Sequence, residues 1–494
     1  MKNYLALFTF IAAAFLVGCG DEEETFAAPS VISPTTQSIQ AGTTADITFT
    51  YTTAAGFASA TVSQENGTAS ITTDGVVGAT SGSITVSFTA GTTAGAGSVT
   101  AVVTDSEGEF DEATAVVNVT VEPPIEVVVV SGFVATTTWT KDKIYELAGR
   151  VVVDSGATLT IDAGTVIKGR TGAGAAASAL IVARGGKLMA MGTAAEPIIM
   201  TSVLDDTEPG TFQSFGTGLD ETVNDTWGGL IILGYAPISA DAESEQIEGI
   251  PADFTYGLYG GTVSDDNSGT IQYISVRHGG TLIGEGNEIN GITFGGVGSG
   301  TTVNHIEVVA NKDDGIEMFG GSVNISNVVI WAADDDAIDI DQSYSGTIDN
   351  AVVIAFSGTD HCLEIDGPEG TLVAGFTITN ATIKGTDDEL GQYRDGAIGT
   401  TSNVYFFGFE KIADGEGDLS LEKDVDGNFT TFLSDLTFSG LEVVLAPDAT
   451  ELSEMLKDGI ADFGSVVTEG SQTVGANTAV LSWTLAAGQG QLDF

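Results

Sequence analysis

Three short stretches of the chain carry acids at matching positions. Asp313-Asp314-Gly315-Ile316-Glu317-Met318 recurs as Asp335-Asp336-Ala337-Ile338-Asp339-Ile340, and again as Asp360-His361-Cys362-Leu363-Glu364-Ile365, at steps of 22 and 25 residues. Side chains of an extended chain alternate between faces. Ile316, Met318, Ile338, Ile340, Leu363 and Ile365 are therefore expected to point inward, and Glu317, Asp339 and Glu364 outward in a stack. Asp313, Asp335 and Asp360 fall on the same acidic face, as do Asp341 and Asp366, with Gly315, Ala337 and Cys362 as a low floor between acids. At a strand spacing of about 4.8 Å, two carboxylates repel by roughly 1 kcal/mol in water and about 3.5 kcal/mol at an effective dielectric of 20. A row of them needs relief. Ca2+ held by Asp313, Glu317, Asp335, Asp339, Asp341, Asp360, Glu364 and Asp366 would supply it, since calcium prefers carboxylate oxygens. Raised carboxyl pKa values or plain solvation are the alternatives. Asp and Asn also serve turns through local hydrogen bonds, which makes a purely structural ladder a further reading.

The elements that must position these acids follow from a second repeat. Gly300-Thr301-Thr302-Val303-Asn304, Gly321-Ser322-Val323-Asn324-Ile325 and Gly346-Thr347-Ile348-Asp349-Asn350 read as the same strand entry, 21 and 25 residues apart. A period in the low twenties, with short strands and Gly/Asn/Asp turns, fits one coil of a parallel β-helix. Earlier coils continue the scheme at residues 150–153, 157–161, 164–169, 179–182, 186–190 and 197–201, while 203–226 and 238–266 break the rhythm and read as protruding loops. The β-helix is expected over residues 125–445. Ahead of it, alternation at 45–51, 83–88 and 115–121 predicts an immunoglobulin-like β-sandwich over residues 29–122, ending at Pro123-Pro124. Residues 446–494 read as a C-terminal cap. In that tail Asp448 with Glu451 predicts a capped helix stopped by Gly459, and 479–484 predicts a closing strand.

Composition agrees with an all-β chain: 494 residues with 65 Gly and 8% aromatics. The net charge of −53 argues against nucleic acid as a partner. At the N-terminus, Met1-Lys2-Asn3 and the apolar run Leu5–Val17 are too short for a membrane span but suit a signal peptide, residues 1–18. Leu16-Val17-Gly18-Cys19 resembles the lipobox of bacterial lipoproteins, which implies a lipid on Cys19 and a membrane partner through that anchor. Residues 19–28, with Gly20-Asp21-Glu22-Glu23-Glu24, form an acidic leader that resembles the export stretch of Bacteroidota surface lipoproteins. It implies an outer-membrane protein facing the cell exterior. With Cys19 lipidated, Cys362 stands alone and no intrachain disulfide forms.

Within 125–445, three stretches are similar to signatures of Bacteroidota surface lipoproteins: Glu288-Ile289-Asn290-Gly291-Ile292-Thr293-Phe294-Gly295-Gly296-Val297-Gly298-Ser299-Gly300-Thr301, Asp313 to Gly321, and Asp334-Asp335-Asp336 to Gly346. That resemblance implies a right-handed, pectin-lyase-like parallel β-helix and brings no settled activity. A second resemblance concerns chemistry. Asn311-Lys312-Asp313-Asp314-Gly315, Asp335-Asp336 and His361 follow the order seen in polygalacturonase-type glycoside hydrolases. It implies Asp314, Asp335 and Asp336 as general acid and base with His361 beside them. The chain departs from that pattern by lacking an Arg-x-Lys strand; Arg394 lies at another register. Sequence reading therefore favours binding of an extracellular glycan or polymer over catalysis. A polygalacturonase-like enzyme and an accessory subunit of an outer-membrane complex stand as alternatives.

Overall fold

The computed structural model describes residues 25–121, 124–282, 289–386, 389–410 and 417–494. Cys19, the signal peptide and the start of the acidic leader lie outside the described residues. The chain divides into two compact units, Met1–Pro124 and Ile125–Phe494.

The first unit is two four-stranded sheets around one core. Ser30–Ile32, Thr44–Thr52, Ser81–Ala90 and Gly67–Thr73 form one sheet; Gln37–Gln40, Phe110–Thr120, Gly95–Asp105 and Phe57–Glu65 form the other. Strict alternation does the work. In Thr44–Thr52, Ile47, Phe49 and Tyr51 are buried while Asp46, Thr48 and Thr50 are exposed. They meet Ile84, Val86, Phe88, Val99 and Val117 in a single apolar cluster. The predicted segments 45–51 and 83–88 lie wholly in strands, and 115–121 does as far as Thr120.

Among its described residues the second unit is built on a continuous 23-stranded sheet, wound as a parallel β-helix, with a separate antiparallel pair of Glu245–Gln246 and Leu258–Tyr259. Ile292 pairs with Ile316, Ile316 with Ile338, and Ile338 with Leu363, all in parallel register. These residues, with Met318, Ile340 and Ile365, fill the interior as the alternation requires. Each later coil has a short strand and a long one bent in its middle. The bend falls at a left-handed residue in each coil: Tyr273, His305, Asn327, Asn350, Asn380, Asn403 and Gly440, with φ between 51° and 63°. Asn tolerates that conformation better than other side chains. The stacked amides also bond along the column, with Asn350 Nδ2 donating to Asn327 Oδ1 at 2.8 Å and Asn403 Nδ2 to Asn380 Oδ1 at 3.2 Å.

The two expected loops lie against the outer faces of the coils instead of protruding. Ile238, Ile247, Ile250 and Tyr259 cover Ile181, Ile231, Leu233 and Phe319. Phe212 packs with Ile144, Val166 and Ile199, and Phe215 against Trp331. Those outward positions are apolar, so leaving them bare would cost about 25 cal/mol per Å2 of exposed surface.

The tail also differs from the expectation. The capping box is shifted by three residues: Glu451 and Glu454 form it, over the single 3-10 turn Leu452–Glu454. Met455, Leu456 and Ile460 close the end of the interior, and Gly464–Val466 adds a last strand to Leu436–Val443. The chain then doubles back along the flank. Asn477 N donates to Asn350 Oδ1 at 2.6 Å, and the amides of Leu485 and Ala486 donate to buried Glu307 at 3.1 and 2.9 Å. Residues 479–484 are no strand. The 3-10 turn Thr478–Leu481 and the short helix Leu485–Gly488 place Leu481, Leu485 and Ala486 over Val309, Val329, Trp331 and Val352. A helical turn offers several apolar side chains to one face, which a lone strand at this edge would not.

Candidate functional site

The acid stack forms as the alternation predicts. Glu317 pairs in register with Asp339, Asp339 with Glu364, and Glu364 with Gln392. Two residues before each strand register sits a second column, Asn290, Asp314, Asp336 and His361. Asp314 Oδ1 accepts the Asp336 amide at 3.0 Å, and Asp336 Oδ1 accepts the His361 amide at 2.8 Å. Each carboxylate of this column thus ties its own turn to the next coil, which is the structural use of Asp weighed from the sequence.

The stack is not an exposed face. Asp314, Glu317, Asp336 and Asp339 are between 5% and 7% exposed. The floor is also not where it was expected. Ala337 and Cys362 belong to the interior cluster, and a Cβ on Gly315 would strike the Ile330 side chain and the Ala337 carbonyl. The chain turns sharply before each short strand, so the residue there faces inward and strict alternation does not extend across the turn.

Three acid clusters result, each with ligand atoms within 4.8 Å of one another: Asp314, Glu317 and Asp339; Asp313, Asp314 and Asp335; and Asp336, Asp360 and His361. Their neutralisation differs. His361 Nδ1 donates to Asp336 Oδ1 at 2.8 Å, with Glu364 at 3.5 Å and Glu389 3.4 Å from Nε2. Burial pulls the imidazole down, but the bonds to Asp336 and Glu389 outweigh it and push its pKa up to about 11. His361 is therefore an imidazolium at neutral pH. Arg394 grips Asp366 through two bonds of 2.8 Å and reaches Glu364 at 2.5 Å. Burial, then the charges of Asp366 and Glu369, push Asp341 up to about 8. Burial, then Asp336, push Glu364 up to about 9 against the pull of Arg394. For Asp314, Glu317 and Asp339, burial and then the neighbouring acids hold the carboxyls well above the usual range. Asp335 reaches solvent, and desolvation with the charges of Asp336 and Asp360 pushes it up to about 6.

The four residues of the hydrolase-like set are neighbours, but only Asp335 reaches solvent; Asp314, Asp336 and His361 are buried. Among the eight expected calcium ligands, Asp341, Glu364 and Asp366 gather around Arg394, and Asp360 beside His361. Sequence reading missed Asn290, whose amide bonds Glu317 and Thr293, and Glu389 beside His361. Asn290 was legible as the coil-equivalent of Asp314, because Ile292 aligns with Ile316. Arg394 was noted only for its wrong register.

Beside the stack, Asp341, Asp366, Glu369, Asp395 and Thr430 border a cleft of about 420 Å3. Glu369 also borders a second cleft of about 460 Å3 with Asp241, Glu245, Gln246, Tyr259 and Gln342. Tyr259 donates to Gln342 Oε1 at 3.1 Å, and Gln342 to Glu369 at 2.8 Å, which fixes the wall between them. The clefts offer many acceptors and few donors, and the Arg394 guanidinium beside them is already engaged by Asp366 and Glu364.

No curated protein matches the chain. Among solved structures it is similar to the Yersinia enterocolitica family 28 exopolygalacturonase, at 10% identity over 89% of this chain and 90% of that one, with a TM-score of 0.20. So loose a superposition says nothing about the site. The family model described as a pectate-lyase-like β-helix domain matches residues 132–487. The chain belongs to the pectate-lyase-like β-helix domain family.

Proposed function

We propose that this is a lipid-anchored protein of a Bacteroidota-type outer membrane, facing the cell exterior, whose β-helix binds an extracellular glycan along the two adjoining clefts. The N-terminal sandwich serves as an immunoglobulin-like stalk between the anchor at Cys19 and a right-handed helix. The observation that carries the reading is Glu369, which borders both polar clefts and is held by a hydrogen bond from Gln342. Carboxylates and amides arrayed along a rod suit a linear polymer whose hydroxyls are donors. The net charge of −53 favours neutral or cationic glycans over polyanions. Affinity electrophoresis against a panel of soluble polysaccharides tests it. Retention by a neutral polymer, weakened about tenfold in Glu369→Gln and Asp395→Asn, is the expected result; no retention by any polymer rejects the reading.

One observation favours a second reading. Asp335 is a solvent-reaching carboxyl pushed up to about 6 beside a cationic His361, which suits a general acid near neutral pH. A polysaccharide-degrading enzyme would release reducing ends from the bound polymer and lose that activity in Asp335→Asn. Binding without any product leaves the chain a binding protein.

A further inference from the structure

The outward side of the long strands carries a column far from the acid stack in sequence register. Ile144, Val166, Ile199, Ser275, Glu307 and Val329 pair along it in parallel. Leu481, Leu485 and Ala486 of the tail cover its later part at Val329. The first part is covered incompletely. Phe212 packs on Ile144, Val166 and Ile199, but a cavity of about 310 Å3 remains beside Val166, Ile199 and Phe212. Its other apolar residues are Ala195, Pro197 and Pro209, and its charged ones are Lys141, Asp142, Glu196 and Glu208. An apolar pocket of that size with a few polar groups is the common form of a small-molecule site. We propose that it binds a small amphipathic cation, an apolar or aromatic body ending in a protonated amine.

Charge selects the ligand. Three acids border the pocket with one base, and Lys141 pairs with Glu196. The two other lysines that act on this rim are held elsewhere. Lys143 pairs with Glu126 at 3.0 Å, and Lys168 Nζ donates to the Asp205 carbonyl at 2.5 Å. Among the described residues neither Asp142 nor Glu208 forms an ion pair, so the rim keeps negative charge. The Thr140 hydroxyl holds Asp142 below the usual carboxylate range. Both acids are exposed, and exposed pairs are individually weak; the apolar residues supply the rest of the affinity. The wall is also preformed. Thr211 N donates to the Glu208 carbonyl at 3.0 Å, with Gly210 at φ 91°, the Pro-Gly turn that a positive φ requires. Buried Arg277 Nη2 donates to the Phe212 carbonyl at 2.5 Å, and Thr201 to Asp205 Oδ2 at 2.7 Å. A pocket shaped before binding loses less order when filled. It shares no residue with the two glycan clefts and is independent of them.

The test titrates the full chain, freed of detergent in phosphatidylcholine nanodiscs, with three probes of one shape followed by saturation-transfer NMR. They are 2-phenylethylamine, the neutral 2-phenylethanol and the anionic 3-phenylpropionate. Saturable binding of the amine is expected, about fivefold weaker for the alcohol and absent for the carboxylate. High salt should narrow the gap between amine and alcohol. Ala195 is exposed at the rim, so Ala195→Trp fills the pocket and should abolish saturable binding of every probe. The double change Asp142→Asn with Glu208→Gln should bring the amine to the level of the alcohol. Wild type with no saturable binding of the amine overturns the proposal, as does undiminished binding in a folded Ala195→Trp. An alcohol or carboxylate that binds as tightly as the amine overturns it too. If Ala195→Trp does not fold, the double variant decides, and amine binding unchanged there overturns the proposal.

Discussion

At the residue scale, the stack trades solvent for protons, cations and turn bonds. That trade has a sign. Asp341 and Glu364 rise from 3.8 and 4.5 to about 8 and about 9 in the folded chain. The folded state therefore holds protons that the unfolded chain has released, and stability falls as pH rises between those limits. His361, raised from 6.5 to about 11, contributes stability that is fully present below about 6.5 and lost as pH climbs through 11. Both effects run the same way. In EDTA, the melting temperature is expected to decline steadily from pH 5 to pH 9, and the decline to be shallower in Glu364→Gln. A melting temperature that rises over that range contradicts the assignment. The acid series was legible because the six-residue segments around Ile316, Ile338 and Leu363 share a register with no insertion inside them. The burial of the acids was not, because the residues that surround them come from distant parts of the chain, Asn290 before the stack and Arg394 after it.

At the element scale, the bent strands define the coil. Seven coils place Tyr, His, Asn or Gly, none of them β-branched, at the left-handed bend, so a β-branched side chain there carries the full steric cost. Asn403→Val is expected to destabilise by about 1–2 kcal/mol. Asn403→Gly should lose only the amide bond to Asn380 and cost about 1 kcal/mol. Equal losses in urea unfolding would show that the bend conformation is not what selects Asn. The strand entries were visible in the sequence, but their register was off. Val303 pairs with Ile325 and Ile325 with Ile348, so matching Gly300, Gly321 and Gly346 misaligns the coils by one or two residues. Turns absorb such insertions without disturbing the ladder. The tail was misread for a related reason. Its apolar residues are placed by the flank of other coils, at Val309, Trp331 and Val352, and no local pattern records that surface. Periodicity fixes what points into a coil's own interior, and says little about what covers its exterior.

At the scale of the molecule, the chain comprises an N-terminal unit of two four-stranded sheets and a parallel β-helix unit, carries a net charge of −53, and has a proposed lipid anchor. Cys19→Ser is expected to shift the protein from the membrane fraction to the soluble one, and wild type on intact cells to be cleaved by added protease. Wild type recovered as a soluble protein contradicts the anchor. The account's central claim is that the two clefts bind a glycan that is not a polyanion. The most direct measurement compares two polymers of one backbone, uncharged and uronate-bearing, by calorimetry with the full chain at low salt in EDTA. The account predicts saturable binding of the uncharged polymer and exclusion of the uronate form. Preferential binding of the uronate polymer, with the clefts' carboxylates intact and no divalent cation present, would contradict it.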